Sequence, residues 1–180
     1  MGAASVQDCR GGRLVAVIEC LLNQNARDAG AADSPAMNRD VVQLCLEHDV
    51  GLLQMPCPEI VCLGWERARR KGESIRDALD TAGGRARCAE IAGDVADRLD
   101  EYVRHGFRVL AILGGNPSSP GCAVHLGGTA LLPASGVFVR ALEAELHRRH
   151  IAIPFRGIRD HDPASVAEDL AWLRGVLAAK

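Results

Sequence analysis

Leu14, Val15, Ala16, Val17 and Ile18 form an unbroken apolar run rich in β-branched types, the pattern of a strand covered on both faces. Comparable runs recur at Val50–Met55, Val109–Leu113 and Ile151–Phe155, and the stretches between them carry apolar residues mainly three or four apart. Parallel strands need a crossover connection, which a helix supplies, so strands alternating with helices predict a parallel sheet. The expected fold is therefore α/β: a single-domain, doubly wound, mainly parallel sheet of about four strands, with helices on both faces and right-handed crossovers.

The punctuation along the chain sets expected boundaries. Arg13–Glu19 reads as the first strand, and Asn38 and Asp40 introduce a helix carrying Val41, Val42, Cys45 and Leu46. Gly51–Met55 reads as the second strand, stopped by Pro56 and Pro58, which cannot donate to a ladder. From Ile75 to Val103 the spacing is helical, with an expected break and one soft region at Gly83–Gly84. Phe107–Leu113 reads as the third strand, closed by the turn residues Gly114–Pro117. Ser135 is the expected cap of a helix bearing Phe138, Leu142 and Leu146, and Ile151–Phe155 reads as the fourth strand. A last helix begins at Asp162–Pro163 and carries Val166, Leu170, Leu173 and Leu177 on one stripe. Residues 1–12 read as a loose leader, and 13–180 as the one folded domain.

Composition removes several function classes. At 180 residues and 48% hydrophobic content the chain can build one core without staples. Net charge is −2 and only 3% of residues are aromatic, so no concentrated basic face with stacking rings is expected and nucleic acid is not a suggested partner. The one basic run, Arg67–Lys71, reads as a solvated face. Leu14–Leu22 is interrupted by Glu19 and falls short of the roughly 18 residues of a membrane span. Seven cysteines cannot all pair, which favours a reduced setting. A soluble, cytoplasmic protein without membrane contact is expected, either a monomer or a small homo-oligomer.

Three of the cysteines share a setting: Cys20, Cys57 and Cys122 each follow an apolar run, in loops rich in turn-forming residues. If the runs are neighbouring parallel strands, about 4.8 Å apart per step, three thiolates from distant sequence can converge where such sheets bind ligands, beyond the carboxyl ends of the strands. Cys45 and Cys88 instead fall on the apolar stripes of helices and read as core residues, and Cys9 has no assigned role.

The surroundings of these cysteines carry a resemblance. Cys20-Leu21-Leu22, with Arg27 and Gly30 downstream, resembles the C-L-L-G-x-x-x-R-Y-D-G opening of the thiouracil desulfidase family. Cys57-Pro58-Glu59 resembles its C-P-E motif, and the Asn116–Cys122 loop looks like a lengthened form of its S-P-S-C-G segment. Asn23 stands where the family has glycine, Asp28-Ala29 where it has Tyr-Asp, and Pro120-Gly121 intrudes before the last cysteine.

The resemblance implies a [4Fe–4S] cluster held by Cys20, Cys57 and Cys122, one iron without a protein ligand, and non-redox removal of sulfur from a thiolated small molecule by water attack. Glu59 is the expected base, with a carboxyl raised by burial near the cluster; a helix-start carboxylate is the alternative. Ser118 or Ser119 could assist as an oxyanion donor or water-orienting group, or both could be turn residues. Asn23, Asn25, Arg27 and Asn116 are candidate substrate contacts, with loop-stabilising hydrogen bonds as the alternative for the first three. Cys62 or His125 could supply a fourth ligand, which would close the open iron. A competing arrangement is a structural zinc site of Cys57, Cys62, Cys122 and His125 without catalysis. Gly114-Gly115 lacks the remainder of a dinucleotide fingerprint, and no Cys-x-x-Cys pair marks a thiol redox protein.

Overall fold

The structure is a computed structural model that describes residues 8–179. Most of the expected leader, residues 1–7, therefore lies outside the described residues, and 8–12 lead without regular structure into the first strand. Four strands form one all-parallel sheet in the order β2-β1-β3-β6, where β1 is Arg13–Ile18, β2 Gly51–Met55, β3 Arg108–Gly114 and β6 Phe155–Gly157. The unbroken apolar run explains the central place of β1. Val15, Ala16, Val17 and Ile18 are all 0% exposed, and only a strand covered on both faces uses such a sequence without penalty.

Short helices follow the first two strands: α1 (Glu19–Leu22) and a one-turn 3₁₀ helix (Gln24–Ala26) after β1, and α3 (Pro58–Leu63) after β2. The longer helices are α2 (Arg39–Glu47), α5 (Ala82–Arg104), α6 (Val137–Arg148) and α7 (Pro163–Ala178), with α4 (Ile75–Leu79) leading into α5. Helices α5 and α6 pack on each other, as do α2 and α7. With right-handed crossovers these pairs cover opposite faces of the sheet. The chain leaves β1 toward β2 on one side and leaves β3 toward β6 on the other. The crevice above β1 and β3 is thus the topological switch point, the place where open α/β sheets bind ligands.

Several boundaries differ from the sequence reading; the third strand runs Arg108–Gly114, one residue later than Phe107–Leu113, so Gly114 belongs to the sheet rather than to the turn. Glu19 leaves the first strand and opens α1. The helical break falls at Asp80–Thr81, not at Gly83–Gly84: Thr81 caps α5 by accepting from the Gly84 N–H, and both glycines lie inside that helix. A Cβ on Gly84 would come within 2.5 Å of the Ala78 and Leu79 carbonyl oxygens, so glycine permits the close stacking of α5 on α4. Ser135 does not cap α6. Gly136 occupies that position, and the Ser135 hydroxyl, fully buried, accepts from the His125 N–H and donates to the His125 carbonyl. The fourth strand starts at Phe155, because Pro154 has no N–H to give and only its carbonyl joins the sheet, accepting from the Ile112 N–H. The loop after Cys122 adds an antiparallel ribbon, β4 (Leu126–Gly127) with β5 (Ala130–Leu131), which the sequence reading did not anticipate.

Candidate functional site

Cys20 is the second residue of α1, Cys57 precedes the first residue of α3, and Cys122 sits in the loop after β3. All three line one cavity of about 270 Å³, together with Arg27, Glu59, Asn116, Ser118 and Ser119. Cys57 and Cys122 are 7% and 4% exposed, and Cys20 is half-buried. The cavity opens above β1 and β3, at the switch point.

Local chemistry fixes each sulfur. Pro58 begins α3 with a φ already suited to a helix, and the Cys57 N–H donates to Glu19 Oε2 at 2.8 Å, tying the second loop to the first. The loop after β3 folds back on the sheet end, with the Gly115 N–H donating to the Cys122 carbonyl at 2.9 Å. A Cβ on Gly115 would lie 2.7 Å from Cys122 Sγ, and one on Gly121 would lie 2.5 Å from a Pro58 ring carbon. Glycine at these two positions lets the third loop approach both its own cysteine and the second loop. Ser119 Oγ lies 2.9 Å from Cys122 Sγ and donates to Glu59 Oε1 at 3.3 Å. Ser118 turns away to donate to Asn116 Oδ1 at 2.6 Å, so Ser119 is the serine in contact with both a cysteine and the glutamate.

Burial dominates the electrostatics. Glu59 is 8% exposed, and desolvation lifts its carboxyl above the ordinary 4.5, opposed chiefly by the charge of Arg67. Burial pushes the Cys57 thiol up to about 11. Interaction with Cys122 holds Cys20 below the usual thiol range, helped by the charge of Arg27, while Cys122 is pushed up by the same interaction and by burial. Cys20 is therefore the readiest of the three to give a thiolate.

Arg67 corrects the reading of the basic run as a solvated face. It is 2% exposed, holds φ 47°, lines the cavity, and donates to the Ala26 carbonyl at 2.6 Å and the Trp65 carbonyl at 2.7 Å. Its Nε has no hydrogen-bond partner and lies 3.8 Å from Glu59 Oε2. Arg69, Arg70 and Lys71 are exposed, and nothing in the residue types separates Arg67 from them.

The opposite wall is built on Arg27, whose side chain is 6% exposed and pairs with Asp33 and Asp160. His161, also on the cavity, hydrogen-bonds Asp33. Gln24, 2% exposed, joins this wall to the first cysteine loop by donating to the Cys20 carbonyl at 2.8 Å and accepting from the Asp33 N–H at 3.0 Å. Asn23 and Asn25 are exposed and do not line the cavity: Asn23 Oδ1 accepts from the Asn25 N–H and side-chain amide. Their observed role is to stabilise the loop. The wall residues Asp33, Asp160 and His161 come from segments whose sequence carries no motif for them.

The four residues of the zinc arrangement stand apart. Cys62 Sγ lies 3.7 Å from Cys88 Sγ, and His125 Nε2 contacts the Pro117 carbonyl while lining a different cavity, so the four residues of the zinc arrangement are not brought together. Among the described residues only Asp33, Asp160 and His161 form a His/Cys/Asp/Glu group whose donor atoms all lie within 4.8 Å of one another, and Arg27 already pairs with both of its carboxylates. At least one pair of the three cavity sulfurs is therefore more than 4.8 Å apart. A tetrahedral zinc with bonds near 2.3 Å would draw thiolates to about 3.8 Å.

No protein-family model matches the chain, and no solved structure matches it. It is similar to an uncharacterized protein of Methanocaldococcus jannaschii, 28% identical over 103 residues, which cover 57% of this chain and 64% of the relative, so the match spans less than two thirds of that protein.

Proposed function

We propose that this protein is a [4Fe–4S]-dependent, non-redox desulfidase that removes sulfur from a thiolated small molecule, as the resemblance to thiouracil desulfidases implies. The observation that carries the reading is the convergence of Cys20, Cys57 and Cys122 with Glu59 and Ser119 on one cavity. The three cysteines are the ligands. When bound, a cubane with three protein thiolates offers one iron that acts as a Lewis acid toward sulfur.

Glu59 takes a proton from the attacking water. Its carboxyl is raised toward the range useful for base catalysis, yet Arg67 favours the ionised form that a base requires. The Ser119 hydroxyl holds Glu59 Oε1, which fixes the direction of the other carboxylate oxygen. Arg27 and Asn116 meet the polar atoms of the substrate. The separation of Cys62 and His125 from the site speaks against the four-residue zinc arrangement.

All seven cysteines are free, which supports a reducing, cytoplasmic location. No helix among the described residues is long and apolar enough to cross a membrane.

Anaerobic reconstitution tests the reading. About four irons per chain and a brown colour are expected, with cluster loss in Cys20→Ser; colourless protein with one zinc would overturn it. Glu59→Gln should keep its iron but release sulfide about 10²–10⁴-fold more slowly from thiolated heterocycles or thioamides. Full activity in that variant would remove Glu59 from the base role.

A further inference from the structure

Cys62 and Cys88 stand outside the cavity and outside the proposed chemistry, and they come from segments 26 residues apart. Cys62 lies near the carboxyl end of α3 and is half-buried, while Cys88 lies in the second turn of α5 and is 0% exposed. Their sulfurs are 3.7 Å apart. A disulfide of about 2.05 Å asks each sulfur to move by roughly 0.8 Å, a shift within reach of side-chain rotation.

We propose that Cys62 and Cys88 are a reversible disulfide site that takes small-molecule disulfides as oxidant. The two thiols divide the work. Contact with Cys88 holds Cys62 below the ordinary thiol range, aided by the charge of Arg87, whereas the same contact and burial push Cys88 up. Cys62, the more accessible sulfur, attacks one sulfur of the oxidant, whose S–S bond breaks and releases one thiolate. Cys88 then loses its proton and attacks Cys62 in the mixed disulfide, releasing the second small thiol. Two electrons and two protons pass from the protein pair to the oxidant, giving one protein disulfide and two thiols.

The bond would join α3 to α5. The first turn of α3 carries Glu59, and Cys57 precedes it, so oxidation would pin the helix that presents both groups to the cavity. The pairing depends on packing alone and stands whether or not the cavity holds a cluster.

The test uses the full reduced chain, equilibrated without oxygen in glutathione and glutathione disulfide at set ratios, then alkylated. Double digestion with trypsin and a glutamate-specific protease separates Cys62 from Cys57 for mass mapping. A Cys62–Cys88 cross-linked peptide should appear as the oxidised fraction rises and vanish with dithiothreitol. Cys88→Ala should leave a persistent glutathione adduct on Cys62. The unaltered chain is itself decisive if that variant folds poorly: a stable adduct on Cys62, a link from either residue to another cysteine, or no reaction while exposed Cys9 is modified would each overturn the proposal.

Discussion

Asp169 and Glu59 are both buried carboxylates, 0% and 8% exposed, yet their surroundings are built on opposite lines. Asp169 projects from α7 and receives the guanidinium of Arg156 and both the guanidinium and the backbone N–H of Arg159, with both oxygens engaged. Burial alone would raise its carboxyl, but hydrogen bonds from Arg159 and then Arg156 more than reverse that. Glu59 has one arginine at 3.8 Å, the backbone N–H of Gly121 and one serine at 3.3 Å, and burial still prevails. A saturated carboxylate is a structural fastener that cannot readily exchange a proton. An under-satisfied one beside a cavity keeps capacity to accept a proton and to bind something else.

The comparison predicts where stability is lost. Asp169→Ala leaves two arginines without their acceptor, and because both remain about a quarter to a third exposed the expected cost is about 2–4 kcal/mol, below that of a fully buried pair. Denaturant unfolding measures it, and a change under about 1 kcal/mol would erase the contrast with Glu59.

Removing Arg67 strikes the weaker arrangement. Arg67→Met should cost about 1–3 kcal/mol through the stranded Ala26 and Trp65 carbonyls. It should also raise the Glu59 carboxyl further, because the positive charge that opposes desolvation is gone. In the proposed reaction the base must be ionised, so the acid limb of sulfide release should move to higher pH. An unmoved limb would separate Arg67 from Glu59.

Proton linkage gives a gentler test. A folded carboxyl held below its ordinary 3.8 contributes stability that is complete above the unfolded value and is lost as pH falls through the folded one. The stability gap between the natural chain and Asp169→Asn should therefore be full at pH 6 and shrink below about 3.8. A gap that persists at lower pH would mean that packing, not charge, holds Asp169. The smallest effect belongs to Asn23→Ala, which removes the acceptor for Asn25 at a cost of about 0.5–1 kcal/mol. Substrate KM should stay unchanged, and a large rise would return Asn23 to the site.

Much of the frame was legible in local pattern. Gly51–Met55 is bounded by prolines that end a strand wherever they occur, and Asn38 and Asp162 cap their helices with side chains that need only their own neighbours. Gly84 and Ser135 were misread for one shared reason: each answers to a partner distant in space or approached closely by backbone, and a turn signal does not encode that partner. The gathering of Cys20, Cys57 and Cys122 was legible because strand ends in a parallel sheet are neighbours whatever the intervening sequence.

Residue order and hydrophobic period by themselves determined that this chain forms a parallel α/β sheet and that its cysteine-bearing loops share one end of it. Only tertiary structure decided where similar side chains stand: Arg67 rather than Arg69 buried on the cavity, Ser119 rather than Ser118 against Glu59, and Cys62 beside Cys88 rather than beside Cys57. The physical reason is range. Periodicity and capping are fixed within about one helical turn of sequence, whereas desolvation and charge pairing act between groups brought close only when the layers pack.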